Sequence, residues 1–203
     1  MKRTFNSLIL VALLATQLIT PNAFAACTQG GQCNIGGCTA MQYLYNYDFS
    51  ETCSPVVWFK NTAGSSTIVK SGGLDMCDGY FQSYVRMNYN NLSTSKIWQT
   101  VAIPSTETRT HWLAAWNISI DDPHQDSQNT LFVRVTDVTT STIIGQSSVY
   151  YGDTTDPDCR LDILSLGTRN LAGHTIQVEI VGYVTYTDTH FYLTNVSLVS
   201  SFS

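Results

Sequence analysis

From about Met41 to Val199, apolar residues recur at every second position in short runs, and no stretch repeats them at helical spacing. A period of two sends alternate side chains to opposite faces of a strand. Each run therefore names its own buried and outward sets. In residues 80–89 the buried parity is Phe81, Val85 and Met87, with Tyr80, Gln82, Tyr84, Arg86 and Asn88 opposite. In 111–120, Trp112, Trp116, Ile118 and Ile120 face in, and Asn117 and Ser119 face out. In 131–137, Leu131, Val133 and Val135 oppose Phe132, Arg134 and Thr136. In 175–184, Ile176, Val178, Ile180 and Val184 oppose Gln177, Glu179 and Tyr183. The last run starts with Phe191 and Leu193 inward and resumes with Val196 and Leu198. Its parity slips at Thr194-Asn195, which a one-residue bulge would produce.

Turn-forming clusters separate the runs: Asn90-Asn91, Pro104-Ser105, Asp121-Asp122-Pro123, Asp156-Pro157-Asp158 and Gly167. Short strands at this spacing predict one all-β sandwich or barrel without internal repeats. Composition agrees. Only 12% of residues are charged, about half the usual share. Thr (26) and Ser (20) fill the polar positions, and Tyr leads the aromatics. A net charge of −5 excludes a basic nucleic-acid binder, whose phosphate contacts need clustered Lys and Arg. An apolar fraction of 43% is enough for a core and argues against disorder.

The first 25 residues read as a secretory signal peptide. Lys2 and Arg3 supply its positive start, residues 8–15 its apolar run, and Ala23-Phe24-Ala25 its cleavage site. The apolar run falls well short of the about 20 residues that span a bilayer. Lipoprotein processing at Cys27 is the rival reading. Phe24 fits that box poorly, and it would leave five cysteines where ordinary cleavage keeps six. The reading is a protein secreted to the periplasm or outside the cell, with no membrane span. That compartment permits disulfides. Cys27, Cys33 and Cys38 lie in a Cys/Gly-rich segment at 26–42, and Cys53, Cys77 and Cys159 in the domain at 43–203. All six are expected in disulfides, and the sequence does not choose among the pairings. Zinc would need tighter cysteine pairs or nearby histidines.

No catalytic residue is predicted. There is no G-x-S-x-G elbow, and His111, His124, His174 and His190 lie in no H-E-x-x-H. Nothing in the sequence pairs Asp48, Glu51, Glu107 or Glu179 as a glycosidase would require. Two acidic clusters, Asp121/Asp122/Asp126 and Asp153/Asp156/Asp158, offer oxygens to a structural calcium. Solvated turns are the plainer account, and no cofactor is assigned.

Several patterns occur in a fixed order. Tyr47-Asp48-Phe49 precedes Trp58, and Gly79-Tyr80-Phe81 opens a strand. Trp98-Gln99-Thr100-Val101-Ala102-Ile103-Pro104 follows, then Leu171-Ala-Gly-His-Thr-Ile-Gln-Val and Phe191-Tyr-Leu-Thr-Asn-Val-Ser-Leu. Over about residues 45 to 200 the chain resembles the galactose-binding-like β-jelly-roll modules of secreted bacterial proteins, close to carbohydrate-binding modules of families four and nine. Thr194 stands where the family pattern closes on Asp. The resemblance implies a two-sheet jelly-roll β-sandwich that binds polysaccharide or glycan without catalysis.

A sugar presents an apolar C–H face and a rim of hydroxyls. Its site therefore wants flat aromatics and planar polar groups. The outward parities supply Tyr84, Arg86, Asn88, Asn117, Arg134, Gln177, Glu179 and Tyr183, expected on one outward sheet surface. The bland reading of the same set is a cross-strand ladder with an Arg–Glu pair. Trp98 and Tyr150-Tyr151 follow as loop or edge aromatics, while Trp58, Trp112 and Trp116 are expected in the core. A structural or adhesive surface protein with a protein partner is the alternative function, and a small secreted hydrolase the second. The oligomeric state is not legible.

Overall fold

The computed structural model describes residues 32–35, 38–45, 49, 58–61, 67–76, 79–88, 94–121, 128–147, 160–186 and 188–202. Their ordered elements are β1 (Gln32–Ile35), β2 (Cys38–Gln42), β3 (Phe59–Lys60), β4 (Thr67–Met76), β5 (Gly79–Asn88) and β6 (Ser95–Ala102). Then come β7 (His111–Asp121), β8 (Thr130–Asp137), β9 (Thr142–Gln146), β10 (Arg160–Thr168), β11 (Thr175–Tyr183) and β12 (His190–Ser201). Among the described residues there is no helix.

The strands form two antiparallel sheets. A five-stranded sheet runs β3-β6-β11-β8-β9. In the seven-stranded sheet, β12 pairs with β7 along most of its length. Its other edge is shared, with His190–Leu193 against β5 and Val199–Ser200 against β2. β1, β4 and β10 complete the sheet beyond β2, β5 and β7. The Cys/Gly-rich segment is thus built into the sandwich through β2, directly ahead of the core residues Tyr43 and Leu44.

The parity reading is seen directly in the packing. Val85, Met87, Trp112, Trp116, Ile118, Leu131, Val133, Val135, Ile176, Val178, Ile180, Phe191, Leu193, Val196 and Leu198 all lie in one core between the sheets. The side chain of Phe81 lies outside the described residues. The bulge in β12 is also present. Thr194 pairs with Asn117 and Ser197 with Ala115, so β12 carries one more residue than β7 across that interval. Asn195 takes up the turn of the backbone at φ 52°, a left-handed conformation that Asn tolerates better than most residues. Gly167 does not end a strand, as the turn reading had it. It sits inside β10 at φ 73°, where the register to β7 slips between Ser165 and Gly167. An isolated Gly with no neighbouring turn residue marks a bulge as readily as a turn.

Two buried amides join the irregular segments to the sheets. Gln42 Oε1 accepts from the N–H groups of Tyr43, Leu44 and Leu198, at 2.8, 3.1 and 2.9 Å. Gln99, 1% exposed, meets Tyr45 like a strand partner. Its Oε1 accepts from Tyr45 N at 2.7 Å and its Nε2 donates to Tyr45 O at 2.9 Å. Phe49 and Trp58, the aromatic ends of the early motif, pack ring to ring at 5.3 Å. The cysteine side chains lie outside the described residues, so the disulfide expectation is not addressed by this geometry.

Gln99→Met keeps the volume but strands both polar groups of Tyr45. It is expected to cost about 1–3 kcal/mol in denaturant unfolding; an unchanged midpoint would show that the amide pair contributes nothing.

Candidate functional site

The eight outward residues do not share one surface. Tyr84, Arg86, Asn88 and Asn117 belong to the seven-stranded sheet, and Arg134, Gln177, Glu179 and Tyr183 to the five-stranded sheet. Their outward parity places the two groups on opposite faces of the sandwich. Period-two reasoning says which side of a strand a residue occupies, but not which sheet the strand joins.

On the five-stranded sheet, the register brings one residue from every strand into a row. Phe59 is opposite Trp98, Trp98 opposite Glu179, Glu179 opposite Arg134, and Arg134 opposite Gln146. Neighbouring strands lie about 4.8 Å apart, so the row runs about 19 Å across the sheet. Thr100, Gln177 and Thr136 flank it on one side, and Lys96, Val181 and Phe132 on the other. Tyr183 is opposite Thr130, at the far end of β11. Phe59 is 48% exposed and stacks on Trp98 at 6.0 Å between ring centroids. Trp98 is therefore a mid-sheet residue of β6, not a loop or edge aromatic. Phe59 was missed because a two-residue strand carries no detectable period.

Glu179 holds the centre of this face. Lys96 Nζ pairs with its Oε2, and Arg134 Nη1 lies 3.5 Å from its Oε1. Both cations rest on aromatic rings, Lys96 on Trp98 and Arg134 on Phe132, each 5.2 Å from the centroid. Arg134 Nε donates to Gln146 Oε1 at 3.3 Å, and Gln177 Nε2 to Thr100 Oγ1 at 3.4 Å. The side chains are pre-set by contacts with each other, which lowers the entropy lost when a ligand arrives.

The opposite face is differently built. Arg86 is opposite Tyr192, which meets Tyr84 edge-on at 5.5 Å and His190 at 6.0 Å. Ser119, also outward by parity, is buried. The aromatics here pack on one another across strands, and Asn117 lies in register between Thr194 and Leu161. Trp58, Trp112 and Trp116 are core residues. Tyr150-Tyr151 and the acidic clusters lie outside the described residues, apart from the backbone of Asp121 at the end of β7. Among the described residues no group of acidic, His or Cys side chains is arranged to hold a metal.

Two buried carboxylates hold loops in place. Glu107 accepts from the Tyr43 hydroxyl, from the backbone N–H of Thr108 and Arg109, and from Arg109 Nη1 at 3.1 Å. Ser200 Oγ lies 2.8 Å from the Tyr43 hydroxyl. Burial, and then the bond to Glu107, push the Tyr43 hydroxyl well above its ordinary pKa. Burial also pushes Glu107 up, but its bonds from Tyr43 and Arg109 outweigh that and hold it below the usual carboxylate value. Asp137 likewise stays low against burial, because His174 Nδ1 at 2.8 Å and Thr140 hydrogen-bond to it. The four His had no legible role; the Asp137–His174 contact arises because the β10–β11 loop returns to the end of β8, which spacing alone does not reveal.

No protein-family profile and no curated sequence matches this chain. Among solved structures, the fold is similar to the Stig cyclase Fisc from Fischerella sp. TAU, solved with (3Z)-3-(1-methyl-2-pyrrolidinylidene)-3H-indole, at a TM-score of 0.53 and 9% identity. That alignment covers 79% of this chain and 98% of the cyclase. It is also similar to TmCBM61 in complex with beta-1,4-galactotriose, at a TM-score of 0.51 and 12% identity, covering 77% and 97%. The shared feature is a β-sandwich fold, which hosts unrelated functions.

Glu107 and Asp137, held below the ordinary carboxylate range, contribute stability that is complete above that range and lost as pH falls through their folded values. Glu107→Gln and Asp137→Asn should each lower stability by about 1–3 kcal/mol at neutral pH. They should also flatten the acid side of a melting-temperature profile. Profiles parallel to wild type would contradict this assignment.

Proposed function

We propose that this is a secreted, non-catalytic jelly-roll module that binds carbohydrate on the outer face of its five-stranded sheet. The observation that carries the reading is the row Phe59–Trp98–Glu179–Arg134–Gln146. It joins an exposed aromatic stack to planar polar groups in one line, the pairing that a sugar ring needs. Phe59 and Trp98 would meet the C–H face, while Arg134, Gln146 and Gln177 would exchange hydrogen bonds with hydroxyls and Glu179 would hold Arg134 in place. A polymer lying along the row would meet both kinds of group in succession. The likeness to a fold solved with galactotriose supports the reading without choosing the sugar. Of the sequence candidates, Arg134, Gln177 and Glu179 belong to this site, with Tyr183 at its margin. Tyr84 and Arg86 are assigned to cross-strand packing with Tyr192, and Asn88 and Asn117 lie on that other sheet.

Tryptophan fluorescence titration against a polysaccharide panel tests this. Trp98→Ala is expected to weaken binding at least ~10-fold, which is about 1.4 kcal/mol. Tyr84→Ala, on the other sheet, should leave affinity unchanged. A silent panel, or an equal loss in both variants, would overturn the proposal.

A further inference from the structure

The charge on this face is unequally displayed. Glu179 is the one carboxylate among the described outward residues of the five-stranded sheet, and its side chain is 8% exposed. Lys96 and Arg134, which flank it, expose 36% and 34% of their side chains. A ligand approaching the sheet therefore meets two cations, with the anion tucked beneath them. Among the described residues of this face one positive charge remains uncompensated, on a protein whose net charge is −5. A neutral sugar needs no such excess, since a balanced pair offers the same hydrogen bonds.

The positions of the cations point the same way. Arg134 is held over Phe132, and its 3.5 Å approach to Glu179 is longer than the about 2.7–2.9 Å of a tight charge-assisted bond. Its planar fork is thus loosely engaged, and a fork of that geometry matches a carboxylate in bidentate fashion. Lys96 stands over Trp98, beside the exposed Phe59 stack. A sugar ring on that stack would carry its substituents toward a cation.

Resting on the carbohydrate reading, we infer that the ligand is an acidic polysaccharide whose sugars bear carboxylates, a polyuronate, rather than a neutral glycan. The carboxylate of one sugar meets Arg134, and Lys96 attracts its neighbour. Glu179 positions the two cations and keeps them from folding away into solvent.

The test compares polygalacturonate with the same polymer fully methyl-esterified, which keeps the backbone and removes the charge. Titration calorimetry with the full chain is run at about 10 mM and about 500 mM salt, between which the Debye length shrinks from about 30 Å to a few ångströms. The free acid should bind at least ~10-fold more tightly than the ester at low salt and lose most of that advantage at high salt. Arg134→Gln should abolish the preference, with the melting temperature checked to confirm folding. Equal or tighter binding of the ester or of a neutral galactan, dependent on Trp98, would overturn this inference and leave the carbohydrate reading standing. Failure of every polymer to bind would overturn both.

Discussion

Most of the seven-stranded sheet depends on the hydrogen bonding of one strand. β12 is paired with β7 on one edge and with β5 and then β2 on the other. A twelve-residue strand that kept strict alternation would point Val196 and Leu198 outward after burying Phe191 and Leu193. The extra residue at Asn195 resets the phase, so both halves of the strand bury their apolar side chains in the same core. Without it the core would lose two branched aliphatics, each worth about 1.5–3 kcal/mol when buried. Gln42 then covers the place where β12 changes partners, its one oxygen accepting from Leu44 and Leu198 and from Tyr43, whose N–H also donates to Leu198 O at 3.0 Å.

The five-stranded sheet rests on that core through Ile97, Val101, Leu131, Val133, Val135, Ile176, Val178 and Ile180. Because its inner positions are filled mainly by apolar residues, its outer positions are free to carry something else. What they carry is a cross-strand row in which aromatics lie at one end and hydrogen-bonding groups at the other. The ladder reading and the binding reading share these residues. An Arg–Glu pair on a surface contributes little to stability. On this face both cations stack on rings and share one shielded carboxylate.

Much of this was legible in the sequence, because burial follows alternation. The inward residues of β7, β8, β11 and β12 were readable one by one, down to the slip at Thr194-Asn195. The outward residues were readable only as outward. Tyr84 and Glu179 look alike in a strand pattern, yet they lie on opposite sides of the molecule, since sheet membership is fixed by long-range pairing. Trp98 was visible as an aromatic candidate but expected at a loop or edge, because its place in the sheet follows from the pairing of β6 with β3 and β11. Phe59 was invisible, because two residues cannot show a period. The Tyr43–Glu107–Arg109 and Asp137–His174 contacts join segments far apart in the chain, and no local rule predicts them.

The fold is shared with a cyclase and with a galactotriose-bound module, so function must be decided at the surface. On the proposed reading, ligand contact falls on the outer face of the five-stranded sheet. Hydroxyl-radical footprinting with and without saturating oligosaccharide reads this residue by residue. Protection is expected at Phe59 and Trp98, with Tyr84 and Tyr192 unchanged. Protection at Tyr84 and Tyr192 with Trp98 unaltered would contradict it.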